Sequence, residues 1–254
     1  MALEFDGDNR VNVGTLGNFG LTYLDGGVSV SAWFMGTDTA DRYSIMGTVN
    51  DGSTTGMSLD MNRDKDGNYS ADKMRLWLRD EDNCTTDAGS TGTVGVHDGA
   101  WHHIAATYDG PNNSLALYVD GQSVGLTYDH QTTPDNFANF QYAMMIGAMN
   151  VRGVAGYSIV GTLADVRFYD RVLTASEAAI IYEARGADGF AGRTWDLWAR
   201  WLMNEQPDGG SATAASTVID VSGQGYHGTP EKEMIGEWPT YKAAPLRLAR
   251  PVIL

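Results

Sequence analysis

Apolar residues fall on every second position over much of this chain, and the alternation restarts after short polar breaks. It is clearest at Ala100–Gly121, AWHHIAATYDGPNNSLALYVDG. Ile104, Ala106 and Tyr108 alternate with Ala105 and Thr107; beyond Asp109-Gly110-Pro111-Asn112-Asn113, Leu115, Leu117 and Val119 alternate with Ala116 and Tyr118. Period-two alternation on both sides of turn residues predicts an antiparallel hairpin with one buried face. The same rule gives a strand at Val28–Phe34, with Val28, Val30, Ala32 and Phe34 on one face and Ser29, Ser31 and Trp33 on the other. Further strands fall at Leu3–Phe5, Val11–Val13, Tyr43–Val49, Met57–Met61, Met74–Arg79 and Ala143–Ala148. In Ile159–Tyr169, strict alternation puts Val160, Thr162, Ala164, Val166 and Phe168 on one face and Gly161, Leu163, Asp165, Arg167 and Tyr169 on the other. One helix is predicted, Ala175–Ala184, with Thr174 and Glu177 as a capping box, Ile180 and Ile181 as its apolar face and Gly186 as its stop.

Composition narrows this all-β picture. The 254 residues, with 31 Gly, 12 Tyr and 7 Trp, suit one large sandwich rich in turns and half-buried aromatics. A formal net charge of -15 argues against nucleic-acid binding through a basic patch and is compatible with cation binding. A single cysteine, Cys84, excludes an intrachain disulfide framework. No run is long and apolar enough to span a membrane, and Met1–Gly7 lacks the basic-then-apolar pattern of a secretory leader. His102 and His103 open the central hairpin, and one of them is expected to point inward and hydrogen-bond. Asn62–Asp72 has acidic spacing loosely like a calcium loop, but Gly67 is misplaced for an EF-hand, so the stretch is read as a solvated hairpin tip.

Several strings together resemble the laminin-G-like branch of the concanavalin A-type sandwiches: Leu3-x-Phe5-Asp6-Gly7, Ser29-Val30-Ser31-Ala32-Trp33, Trp101-His102-His103, Leu117-Tyr118-Val119-Asp120-Gly121 and Ile146-Gly147-Ala148. The most specific is Gly161-x-Leu163-x-Asp165-Val166-Arg167-x-Tyr169 followed by Leu173-Thr174 and a short helix. The resemblance runs from Leu3 to about Gly186. It implies a two-sheet antiparallel jelly-roll sandwich over residues 1–186. It also implies a structural calcium ion, with Asp6 and Asp165 as ligands and Asp25 as a third candidate. Related hydrolases carry Glu-x-Asp-x-x-Glu on one strand; here Asn9 stands where the second Glu would fall. No catalytic motif is found, and the protein is read as a non-enzyme.

Residues 187–254 form a C-terminal extension. Trp201, Glu205, Asp220-Val221-Ser222-Gly223 and His227-Gly228-Thr229 match a segment that in related chains precedes the first strand, so the order is permuted. Trp195, Trp198 and Trp201 carry too much aromatic surface to stay in water, so Trp195–Thr229 is expected to pack as an integral part of the sandwich. Residues 245–254 are expected to dock on another subunit. These features lead to a non-catalytic binding or structural module on a multi-subunit particle, such as a decoration or adhesion protein of a bacteriophage virion. The alternative is a calcium-dependent carbohydrate-binding, lectin-like module at a cell surface, with Trp33 or Trp77 stacking on sugar. The expected partners are protein subunits and glycans, without membrane insertion.

Overall fold

The computed structural model describes residues 1–15, 26–49, 55–135, 137, 142–186, 197–233 and 237–243. Asp25, Trp195 and residues 245–254 lie outside the described residues.

Strands β1 (Ala2–Asp6), β2 (Asn9–Thr15), β3 (Val28–Met35), β4 (Tyr43–Val49), β5 (Gly56–Arg63) and β6 (Tyr69–Arg79) form the first third. Next come β7 (Thr85–Ser90), β8 (His102–Asp109), β9 (Ser114–Val119), β10 (Gln122–Val124), β11 (Leu126–Gln131) and β12 (Ala143–Ile146). Then follow β13 (Met149–Val151), β14 (Val154–Gly156), β15 (Val160–Tyr169) and helix α1 (Ala175–Ala184). The tail adds β16 (Leu197–Trp201), β17 (Thr229–Lys232) and β18 (Thr240–Lys242).

Two sheets face each other as a jelly-roll sandwich. One runs β10-β9-β8-β3-β15-β1-β18, with β16 beside the C-terminal half of β15. The other runs β11-β7-β6-β5-β4-β12-β2-β17, with the β13–β14 hairpin on β4. Side chains from both inner faces fill one core that includes Leu3, Val11, Val30, Phe34, Leu59, Leu76, Ile104, Leu117, Ile146, Phe168 and Trp201. The two faces of β3 are as the alternation predicts. Val28, Val30, Ala32 and Phe34 enter the core, whereas Trp33 lies on the outer face, stacked on Tyr182 of α1. Helix α1 covers this outer face through Ala178, which packs on Ala105 and Tyr118. Its capping box is formed by Thr174 and Glu177. Gly121 makes the close approach possible: a Cβ there would lie 2.8 Å from Ala179 Cα.

The histidine pair divides its roles differently from the expectation. His103 is the buried one, but on the outer face, against Trp33 and Tyr182 beneath α1, and neither ring nitrogen has a hydrogen-bond partner. Burial, and then Arg167, push its pKa down to about 3 and keep it neutral. His102 makes the bonds, through Nδ1 to Asp120 (2.8 Å) and Nε2 to Asp98 (3.1 Å), bracing the hairpin entrance. The hairpin tip at 64–68 also departs from a purely solvated one. It folds back so that Arg75 Nε donates to the Lys65 carbonyl at 3.2 Å, over Gly89.

Strict alternation fails in β15. Leu163 faces the core opposite Leu3 and Phe34, and Ala164 faces outward against Trp33; two residues later Val166 and Phe168 face the core and Arg167 faces outward. The register shift falls at Asp165, whose φ of 49° is left-handed. A β-bulge of this kind adds one residue and inverts the faces beyond it. The Asp165 carboxylate is buried between two arginines, bonded to Arg167 Nη2 and to Arg200 Nε, each at 2.7 Å. Arg200 Nη2 also donates to the Gly186 carbonyl at 2.8 Å. The cluster therefore ties β15, the tail strand β16 and the segment after α1 together. Burial alone raises the Asp165 pKa, but Arg167 and Arg200 outweigh it and hold the carboxyl below the usual range.

Asp165→Ala leaves two buried guanidinium groups uncompensated, and a loss of about 3–5 kcal/mol is expected in denaturant unfolding. A change within experimental error would show that the cluster does not hold the tail. The second expectation concerns pH. Burial lowers the His102 pKa, but Asp120 and Asp98 outweigh it and raise it above the ordinary histidine value. Its stabilisation is complete below the unfolded pKa and is lost as pH rises through the folded one. The melting temperature should therefore decline as pH rises past about 6.5, and His102→Gln should flatten that decline.

Candidate functional site

The tail builds a site at the edge of the ten-stranded sheet. Asp220 organises it: Oδ1 accepts from Arg200 N (2.9 Å) and Ser222 N (2.9 Å), and Oδ2 accepts from Ser222 Oγ (2.8 Å) and Tyr226 N (3.0 Å). One buried carboxylate thus closes the 220–226 loop, with Gly223 and Gly225 supplying positive φ. Trp201, fully buried, donates from Nε1 to the Tyr226 carbonyl at 2.7 Å. Glu205 accepts from Ile219 N (2.9 Å) and from the Tyr241 hydroxyl (3.0 Å), anchoring the loop's other flank. Gly228 then lets the chain lie against β2, since a Cβ there would meet Val11 at 2.5 Å.

The result is an open groove of about 410 Å³ lined by Asn12, Gly14, Tyr226, His227, Thr229 and Glu231, among others. Tyr226 is half-buried, with its ring partly packed on the core, and His227 and Thr229 are exposed. The Asp220 amide donates to His227 Nδ1 at 3.0 Å, so the ring hydrogen sits on Nε2 as a donor. Glu231 is fixed by Asn12 Nδ2 at 2.9 Å and Arg10 Nε at 3.1 Å. An aromatic ring, an imidazole donor, a hydroxyl and a carboxylate therefore converge on one concave surface. A second cleft, of about 320 Å³, includes Glu4, Phe5, Asp38 and Thr162 in its lining, but its aromatic ring, Phe5, is 1% exposed.

Of the residues predicted as metal ligands, Asp6 and Asp165 are not brought together. Asp6 ends β1, opposite Val160, and its Oδ1 accepts from Asp8 N at 3.0 Å. Asp165 lies five residues further along β15, roughly 16 Å away at the rise of a strand, with its oxygens committed to Arg167 and Arg200. Asp25 is outside the described residues. The structure instead gathers Asp87, Asp129 and His130, whose ligand-type atoms lie within 4.8 Å of one another. Sequence reasoning missed this cluster because 42 residues separate Asp87 from Asp129; the pairing of β7 with β11, shifted between Tyr128 and His130, brings them side by side. Calcium does not fit it well. Calcium takes six to eight oxygen ligands, whereas here one donor is an imidazole, and the carboxylates already pair with Arg75 and Lys65. Of the two tryptophans expected as sugar platforms, Trp33 is 2% exposed beneath α1, and Trp77 is half-buried with its ring over Gly56.

The family model described as the concanavalin A-like lectin/glucanases superfamily (Laminin_G_3) matches residues 5–179. No curated protein matches the sequence. Among solved structures, a presumed carbohydrate-binding protein of Bacteroides ovatus is similar at 18% identity and TM-score 0.66. That match covers 98% of this chain, and the chain spans 61% of the length of that protein. The CBM40 of the Ruminococcus gnavus IT-sialidase, bound to α2,3-sialyllactose, matches at 14% identity and TM-score 0.54, over 72% of this chain and 96% of the other. A heptameric SAP-like pentraxin of Limulus polyphemus matches at 16% and 0.50, over 73% and 83%. At these identities the likeness concerns the fold. Among the described residues, no helix is long and apolar enough to cross a membrane.

Neither excess calcium nor a chelator is expected to move the melting temperature, because an ion stabilises a fold only where it binds the native state more tightly. A chelator-sensitive melting curve that Asp129→Asn abolishes would assign a metal to the Asp87–Asp129–His130 cluster instead.

Proposed function

The chain belongs to the concanavalin A-like lectin/glucanases superfamily, and on that premise we propose that it is a non-catalytic, lectin-like module that binds carbohydrate in the groove formed by β2, β17 and the 220–228 loop. The observation that carries this reading is the convergence of Tyr226, His227, Thr229 and Glu231 on one open surface. Sugars present C–H faces that pack on aromatic rings and hydroxyls that both donate and accept hydrogen bonds. Tyr226 suits the first; the Nε2–H of His227 and the carboxylate of Glu231 suit the second. Among the described lining residues Glu231 is the only carboxylate, whereas glycoside hydrolysis ordinarily requires two flanking the scissile bond. This supports binding without turnover. Display on a multi-subunit particle or virion would place the same module without changing its chemistry, and rests on residues 245–254, outside the described residues.

A glycan array followed by calorimetric titration of the strongest hit tests the reading. Tyr226→Ala should weaken binding about tenfold, the equivalent of one stacked ring at about 1.4 kcal/mol. Cooperative melting of the variant would show that the sandwich is retained. Binding that survives Tyr226→Ala unchanged would place the site elsewhere.

A further inference from the structure

We propose that the groove selects neutral over anionic glycans, an inference that rests on the carbohydrate reading above. Arg10 borders the groove through Glu231. A sugar carboxylate is best held by the fork of an arginine, two parallel N–H bonds to two oxygens. Two nitrogens of Arg10 are already committed: Nε to Glu231 at 3.1 Å and Nη1 to Glu233 at 2.5 Å. One guanidinium between two carboxylates leaves a local charge of -1, from +1 and -2. The described lining of the groove holds one carboxylate, Glu231, and neither lysine nor arginine, while His227 Nδ1 accepts from the Asp220 amide. Lys232, next along β17, lies over the Trp238 ring at 5.6 Å.

Hydrogen-bond chemistry points the same way as charge. Glu231 is an acceptor, and a sugar hydroxyl can donate to it. A carboxylate or sulfate ester has only acceptor oxygens and would meet those of Glu231 without a proton between them. The chain as a whole carries a formal charge of -15, so the long-range field also disfavours an anionic ligand. Salt would screen that part of the penalty. The sialyllactose held by the CBM40 relative is therefore the wrong charge class for this groove, although its neutral lactose portion is not.

The test uses matched pairs on the full chain: lactose against 3′- and 6′-sialyllactose, and neutral oligosaccharides against their uronate or sulfated counterparts. Each acidic member should bind about tenfold more weakly than its neutral parent at low ionic strength, as expected when like charges meet at an interface. The gap should narrow with added salt. Glu233→Gln, outside the groove lining, should free Arg10 Nη1 and narrow the gap several-fold while leaving the neutral affinity unchanged. Acidic members that bind as tightly as their parents, or more tightly, overturn the selectivity. If that binding is lost in Tyr226→Ala, the groove itself stands and only the charge preference falls. If the folded protein binds no glycan of either kind, the carbohydrate reading and this inference fall together.

Discussion

The structure depends on how Asp165 is accommodated in the middle of β15. Strand β15 is the busiest in its sheet, pairing with β3 on one side and with β1 and β16 in succession on the other. An extra residue in such a strand must put its backbone and its charge somewhere. The left-handed φ of 49° takes up the backbone, at a residue type that tolerates that region. Arg167 and Arg200 take up the charge. A buried carboxylate is costly unless it is paired and hydrogen-bonded. Because one of its partners comes from the tail, the bulge and the tail are held by the same bonds.

That dependence explains why the last described stretch belongs inside the sandwich. Strands β16 and β18 join one sheet and β17 joins the other, so the tail brackets the core from both sides. Trp201, Met203, Val218 and Tyr241 are core residues alongside Phe5 and Phe34. Arg200 links the two polar centres, since its side chain reaches Asp165 while its amide donates to Asp220. From Asp220 the order passes to Tyr226 and His227 through direct hydrogen bonds. The groove is thus assembled from residues near opposite ends of the chain, Asn12 on β2 and Glu231 on β17, which meet only because the two strands pair.

The acidic composition shapes the surface more than the interior. Within the sandwich, Asp60 is matched to Arg63, Asp87 to Arg75 and Asp165 to Arg167 and Arg200, whereas the buried Asp80 and Asp220 are held by backbone amides. Beside the groove, Arg10 pairs with two glutamates, Glu231 of the lining and Glu233 outside it. A surface of one sign discourages nonspecific association with polyanions, which suits a module whose proposed ligand is uncharged.

Alternation, turn chemistry and the capping box by themselves determined the sheet class, the central hairpin, the faces of β3 and the helix 175–184, because each rests on residues within a few positions of one another. The matched strings determined the family, and the permuted motif already held Trp201, Glu205, Asp220 and His227. What the sequence did not contain was any local sign of pairing between distant segments. Nothing near Asp165 announces that Arg200 will reach it, so a residue of metal-ligand type proved to be committed to two guanidinium groups. The uniform alternation expected through β15 broke at the same residue, because a bulge is decided by what the neighbouring strands must accommodate. Asn12 and Glu231, or Asp87 and Asp129, become neighbours only through strand register. Tertiary packing also decided that His103 would be buried without a partner while His102 made the bonds, since α1 covers the outer face of β8 with Tyr182.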